Sequence, residues 1–215
     1  MSDGNILIGL TGLSCSGKNY LSLLFEKRGF AVLDADKLAH TVLEDQKEFI
    51  ISRWGTDILD CTGTINRKAL GKAVFGKKEE LSALEGILYP RINEKTLEWI
   101  AENKDKSRII NAAVLHKSVA FEKLDCIVIV KAPYLVRLFR AKSRGNYSFD
   151  EIIKRFKSQK KFNSQYFGKN ADTFTICNGG IGVGTCFFRR NLEKNIDKLC
   201  LRLKKISENK KVKTM

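Results

Sequence analysis

Residues 5–19 read Asn5-Ile6-Leu7-Ile8-Gly9-Leu10-Thr11-Gly12-Leu13-Ser14-Cys15-Ser16-Gly17-Lys18-Asn19, and this stretch decides the fold. An apolar run the length of a buried strand enters Gly12-x-x-x-x-Gly17-Lys18, after which Tyr20-Leu21-Ser22-Leu23-Leu24-Phe25 resumes with helical spacing. The pattern is a phosphate-binding loop. A polyphosphate needs many hydrogen-bond donors in a small concave space, which the backbone N–H groups of a glycine-permitted turn supply. A helix opening at Gly17-Lys18 adds its N-terminal N–H groups and positive dipole end, and the Lys18 ammonium reaches the outer phosphates. One position departs from the pattern. Ser or Thr commonly follows the lysine and ligates Mg²⁺ through its hydroxyl, and here Asn19 stands.

A chain of 215 residues suits one α/β domain with embellishments. No apolar run is long enough to span a bilayer, and no basic segment precedes the first apolar run. We therefore expect no membrane partner, no secretory signal and a cytoplasmic setting. Cys15, Cys61, Cys126, Cys177, Cys186 and Cys200 are scattered without a C-x-x-C pair, as in proteins that keep reduced thiols. The net charge of +15 favours an anionic partner, either nucleic acid or a small phosphorylated metabolite. Without an aromatic–basic RNA motif, nucleic acid is the less expected of the two.

Beyond the loop, a helix from Lys18 to about Arg28 stops at Gly29, and Phe30-Ala31-Val32-Leu33 reads as a second buried strand. That strand delivers Asp34-Ala35-Asp36 at its carboxyl end, where open α/β sheets bind ligands; if still extended, both carboxylates face one side. Spacing predicts one amphipathic helix from Lys37 to about Arg53, helices over Arg67–Phe75 and Lys78–Leu88, and a further helix opened by Pro90. Residues 37–104 thus read as an all-helical insertion. The runs Arg108–Leu115 and Cys126–Val130 are continuous and apolar, as in strands of a parallel sheet covered on both faces. A basic helical region follows over 133–162, broken at Gly145-Asn146, then a last strand Asp172–Cys177 and a closing helix Asn191–Ile206. The glycine run 179–184 is expected to be a loop, because no βαβ unit follows to make it a dinucleotide fingerprint.

Several ordered motifs together resemble the dephospho-CoA kinases. They are Gly9-Leu10-Thr11-Gly12 through Lys18, Val32-Leu33-Asp34-Ala35-Asp36-Lys37-Leu38-Ala39-His40, Gly63-Thr64-Ile65-Asn66-Arg67-Lys68-Ala69-Leu70 and Ile87-Leu88-Tyr89-Pro90-Arg91-Ile92. Later in the chain come Arg140-Ala141-Lys142-Ser143-Arg144, Arg155 with Gln159, and Ala171-Asp172 leading to Asn178-Gly179. The resemblance implies a P-loop core over 1–36, 105–133 and 166–215, a helical substrate domain over 37–104 and a helical lid over 134–165. It implies transfer of a phosphoryl group from ATP, with Mg²⁺, to the ribose 3′-hydroxyl of dephospho-coenzyme A, by a monomer or weak oligomer. Carried onto this sequence, Gly12, Leu13, Ser14, Cys15, Ser16, Gly17, Lys18, Asn19, Tyr20 and Asn178 would hold ATP. Thr11, Asp34, Asp36, His40 and Arg67 would meet the acceptor, with Asp36 as base. Lys18, Arg140 and Arg144 would stabilise the γ-phosphate, and Asn19 would approach the metal directly or through water.

Three departures from the family pattern stand out: Asn19, the stretch Asn111-Ala112-Ala113-Val114-Leu115-His116-Lys117 where the family often has Asp-x-Pro-Leu-Leu-x-Glu, and a long glycine loop. Cys15 inside the loop is expected to be a tolerated small residue, with a lowered thiol pKa as the competing reading. Another P-loop small-molecule or nucleoside kinase, and an impaired nucleotide- or nucleic-acid-binding relative, are the alternatives.

Overall fold

The computed structural model describes residues 5–145, 148–159, 171–180 and 186–214. In chain order the elements are β1 (Leu7–Gly12), α1 (Lys18–Glu26), β2 (Ala31–Asp34), α2 (Ala35–Asp45), α3 (Lys47–Trp54), α4 (Arg67–Val74) and α5 (Lys78–Glu102). There follow β3 (Arg108–Asn111), β4 (Cys126–Lys131), α6 (Tyr134–Ser143), α7 (Phe149–Ser158), β5 (Asp172–Cys177) and α8 (Cys186–Thr214). The chain divides into two compact units, Met1–Leu33 with Ile100–Met215, and Asp34–Trp99.

The first unit is built on a five-stranded sheet in the order β2-β3-β1-β4-β5, with β1 parallel to β3 and β4, and β4 parallel to β5. It is the expected P-loop architecture, a parallel sheet covered by helices. Ile8 and Leu10 of β1, Val128 and Val130 of β4 and Ile176 of β5 share a core with Leu21, Leu24 and Phe25 of α1 and Leu192, Ile196, Leu199 and Leu203 of α8. The spacing of the last four places them on one stripe of α8. On the opposite face of β1, Gly9 leaves room for neighbours: a Cβ there would meet Leu115 Cδ2 at 2.4 Å and Leu124 Cδ1 at 2.7 Å. Strands apolar on both faces follow from this double cover.

The unit Asp34–Trp99 has its own core of Leu43, Ile50, Ile58, Ile65, Leu70 and Val74, against which Trp54, Leu81, Leu84 and Leu88 pack. Asp60 organises the turn at 60–64, its Oδ1 accepting from Thr62 N–H, the Thr62 hydroxyl and Thr64 N–H. Asn66 then caps α4 by accepting from Lys68 and Ala69 N–H, which sets Arg67 at the first helical position.

Four local expectations are corrected. The helix expected over 37–53 is two helices separated at Gln46, whose backbone leaves the helical region at φ −97° and ψ 15°. The two helices expected around Pro90 are one, because a proline removes one N–H bond, to the carbonyl of residue 86, while the turns on either side continue. The strand beginning at Arg108 ends at Asn111, and Leu115–Lys117 is a 3₁₀ turn. Asp34 and Asp36 do not share an extended segment, since α2 begins at Ala35. In the glycine run 179–184, positions 181–184 lie outside the described residues, as do 160–165 of the expected lid. Among the described residues no helix is long and apolar enough to cross a membrane.

Candidate active site

The loop between β1 and α1 is held open by two glycines for different reasons. A Cβ on Gly12 would meet Val130 O at 2.4 Å and Ser16 Oγ at 2.7 Å, so the strand must pass its neighbour bare. Gly17 sits at φ +94°, and a Cβ there would meet Asn178 Nδ2 at 2.2 Å. Cys15, at φ +60°, is the one non-glycine residue with positive φ among those described. Such backbone strain persists where its surroundings enforce it, and here Cys15 packs against Ala141, Ile152 and Phe156 of α6 and α7.

Lys18 opens α1, and its ammonium donates to Gly12 O at 3.1 Å, bridging the two ends of the loop. Leu13 O accepts from Ser16 N–H, the tight turn inside the motif. Tyr20 faces inward and packs on the α1–α8 core, so the structure gives it a packing role next to the loop. Asn178, just after β5, is buried: its Nδ2 donates to Ser16 O at 3.0 Å and its Oδ1 accepts from Arg140. It therefore belongs to the loop, as expected, through the loop's backbone.

The two asparagines that break the family pattern meet. Asn111 ends β3, pairs with Leu10 of β1, and donates from Nδ2 to Asn19 Oδ1 at 3.1 Å. Asn111 is 2% exposed, and its own Oδ1 has no partner among the described residues. The buried Thr11 and Ser16 hydroxyl oxygens are likewise without partners. Leaving a buried polar atom unpaired costs about 1–3 kcal/mol. Thr11 and Asn111 lie at the carboxyl ends of β1 and β3, the end at which open α/β sheets bind ligands, and Ser16 lies in the loop beside them. No cluster of three or more His, Cys, Asp and Glu side chains able to hold a metal occurs among the described residues. The neutral oxygen of Asn111 is of a type that a Mg²⁺ held mainly by nucleotide phosphates and water would accept, because Mg²⁺ keeps several waters and takes few protein ligands.

Two further side chains of α6 reach the loop. Arg140 donates from Nη1 to Cys15 O and Ser16 O, and from Nη2 to Asn178 O, Asn178 Oδ1 and Gly180 O. Arg137 donates from Nε to Ser14 O at 2.8 Å. Burial draws both guanidinium pKa values down, while the negative charge that Cys15 can carry opposes the shift. Arg144 caps the end of α6 and is exposed. Arg137 and Gln159, which accepts from Ser14 N–H at 2.9 Å, were not singled out as loop contacts in the sequence. The signal for Arg137 was the basic helix itself, which gives no indication of which arginine points inward, whereas Gln159 stood with Arg155 among the family motifs without an assigned contact.

In the unit Asp34–Trp99, Asp34 caps α2, its Oδ1 accepting from Asp36 and Lys37 N–H, both at 3.1 Å. The cap is therefore Asp34 and not Asp36, whose exposed carboxylate sits in the first helical turn. His40 lies one turn on, on the same side of α2, and its ring nitrogens lie at 2.5 and 3.1 Å from Arg67 Nη1. Burial, and after it the Arg67 charge, lowers the His40 pKa, against the opposite pull of Asp36 and Asp34.

A parallel sheet whose first strand turns through a Gly–Lys loop into a helix N-terminus defines a P-loop nucleotide-binding protein. The dephospho-CoA kinase family model matches residues 6–181, and the chain belongs to that family. A Treponema denticola dephospho-CoA kinase is 37% identical over 80% of this chain and 82% of its own. A crystal structure of a Thermus thermophilus protein superposes with a TM-score of 0.73 at 26% identity, covering 91% of this chain and 98% of its own. Dephospho-CoA kinase from Campylobacter jejuni superposes with a TM-score of 0.61, also at 26% identity, over 90% and 96%.

Proposed function

We propose that the protein transfers the γ-phosphoryl group of ATP to the ribose 3′-hydroxyl of dephospho-coenzyme A, giving coenzyme A and ADP. The observation that carries this reading is the family match across residues 6–181, which includes both the phosphate loop and the Asp34-Ala35-Asp36 element. The acceptor oxygen attacks the γ-phosphorus, its proton passes to a carboxylate, and the bond from the γ-phosphorus to the β,γ-bridging oxygen breaks with its electrons leaving on ADP.

Asp36 is the base in this reading. Because Asp34 takes the backbone N–H groups of α2, the Asp36 carboxylate is left for the hydroxyl. Thr11, Asp34, His40 and Arg67 complete the acceptor side, with Arg67 directed to the phosphates of the coenzyme. Gly12 through Tyr20 hold ATP by backbone N–H groups, and Lys18 and Arg144 take the charge of the transferring group. Arg140, expected to share that role, enters through the loop carbonyls and Asn178 to which it is bonded. Mg²⁺, when bound with ATP, neutralises phosphate charge; Asn19 and Asn111 are the side chains we assign beside it. Residues 37–104 serve as the substrate domain and 134–165 as a lid, in a cytoplasmic monomer or weak oligomer.

Release of ADP in a coupled assay tests the reading: it should require dephospho-coenzyme A, and neither shikimate nor a nucleoside should replace it. Equal ADP release with those acceptors would favour another small-molecule kinase, and nucleotide binding without turnover an impaired relative.

A further inference from the structure

A phosphate loop works only if its N–H groups converge on one side, which forces its carbonyls to the other. In this chain three consecutive carbonyls, of Ser14, Cys15 and Ser16, are each bonded to an arginine of α6. Arg137 takes the first, and Arg140 takes the second and third. The two arginines are three residues apart on one helix, so both face the loop from the same side.

Arg137 is the less expected of the pair and the more telling. Its side chain is 6% exposed, and its guanidinium carbon stands 4.2 Å from the centroid of the Phe156 ring of α7. Its Nη2 finds no acceptor among the described residues. A buried arginine with one nitrogen unpaired is poorly explained as packing, since an apolar side chain would fill the same space without an unmet donor. What the guanidinium adds is charge and a fixed N–H beside the Ser14 carbonyl. Gln159, at the end of α7, fixes the same residue from its other end by accepting Ser14 N–H. Cys15, between the held carbonyls, is the residue kept at positive φ.

We propose that Arg137 is a positioning residue for phosphoryl transfer: stacked on Phe156 and bonded to Ser14 O, it joins Arg140 in holding the loop carbonyls outward so that the loop N–H groups face the nucleotide phosphates. The proposal rests on the reading of this loop as the nucleotide site. It acts on the polyphosphate and not on the base, which separates it from a merely structural role.

The test compares the affinities of AMP, ADP and ATP for the whole protein, by calorimetry, in the wild type and in Arg137→Met, Arg137→Lys and Phe156→Leu. Arg137→Met should weaken ADP and ATP by roughly ten- to hundredfold, the range expected when a hydrogen bond from a charged donor is lost. AMP should change less than about twofold, because it reaches the loop least. Arg137→Lys should recover part of the loss, and KM for ATP should rise while KM for dephospho-coenzyme A holds. Phe156→Leu keeps a buried apolar side chain but removes the platform, and should weaken ADP in the same selective way even if Arg137→Met fails to fold. Equal losses for AMP and ADP, or unchanged ADP affinity in Arg137→Lys and Phe156→Leu, would overturn the proposal. Failure of the wild type to bind ADP would instead defeat the nucleotide reading itself.

Discussion

Asn111 at the end of β3 donates its amide hydrogen to the amide oxygen of Asn19, the residue after the loop lysine, at 3.1 Å. Two departures that lie far apart in the sequence, a lost hydroxyl and a lost carboxylate, are thus one feature. A hydroxyl beside a carboxylate carries a negative charge toward a cation; two amides carry none. The pair keeps polar contact between the end of β3 and the start of α1 while leaving the Asn111 oxygen buried and unpaired among the described residues.

Restoring the charge should therefore tighten the response to metal. Asn111→Asp is expected to lower the Mg²⁺ concentration for half-maximal rate by roughly tenfold, as one added charge in a partly desolvated site predicts. The same shift should appear in the Mg²⁺ dependence of ADP binding measured without turnover. Asn19→Ser should change that dependence too, and the double variant should be non-additive by about 0.5–3 kcal/mol because the two side chains touch. Identical Mg²⁺ curves for all four proteins would remove both residues from the metal's neighbourhood.

Asp36→Asn should leave the fold intact, because the cap of α2 is Asp34. Turnover should fall by about 10²–10⁴-fold, the usual contribution of a positioned proton acceptor, with ADP affinity unchanged. Single-turnover kinetics beside calorimetry would separate the two effects, and near-normal turnover would sink the assignment.

With His40 and Arg67 on the acceptor side, as proposed, their contact is expected to make acceptor binding sensitive to pH. A lowered imidazolium pKa means the native protein takes up the His40 proton less readily than the unfolded chain does. The stability this contributes is complete above the ordinary value of 6.5 and is lost as pH falls from there through the native value. In the same window the charged ring would repel Arg67. KM for dephospho-coenzyme A should rise on acidification below that point, and His40→Asn should flatten the rise. A KM profile unchanged by the substitution would place the titration elsewhere.

Two glycines with similar backbones should respond differently to a methyl group. Gly29, at φ +86°, has nothing within 4 Å of an added Cβ, so Gly29→Ala should cost only the left-handed strain, about 1 kcal/mol, in thermal unfolding. Gly17→Ala adds a clash with Asn178, which sits between the loop and Arg140, and should cost ADP affinity as well as stability. Equal effects on ADP binding would mean that the Asn178 contact is not part of the site.

The fold was legible because its signals are local and redundant. The run Ile6–Leu10, the Gly–Lys loop and the apolar strand Cys126–Val130 each specify a buried parallel sheet, and Gly29 ends α1 as its φ permits. Elements failed where context overrode a local rule: Pro90 sits inside a helix of 25 residues, and Gln46 breaks one that periodicity alone would continue. In the candidate site, the loop and the Asp34-Ala35-Asp36 element were readable as motifs. Which aspartate capped α2 was not, because that depends on where the strand stops. Nor was the inward turn of Arg137, one basic residue among many on its helix, since only the packing of α6 on Phe156 distinguishes it.

The most direct test of the account is the position of the new phosphate. The protein should be incubated with ATP and dephospho-coenzyme A, and the acceptor product examined by ³¹P NMR and mass spectrometry. One added phosphate is expected, on the ribose 3′ oxygen, formed in step with ADP. No added phosphate, or one at another oxygen, would contradict it.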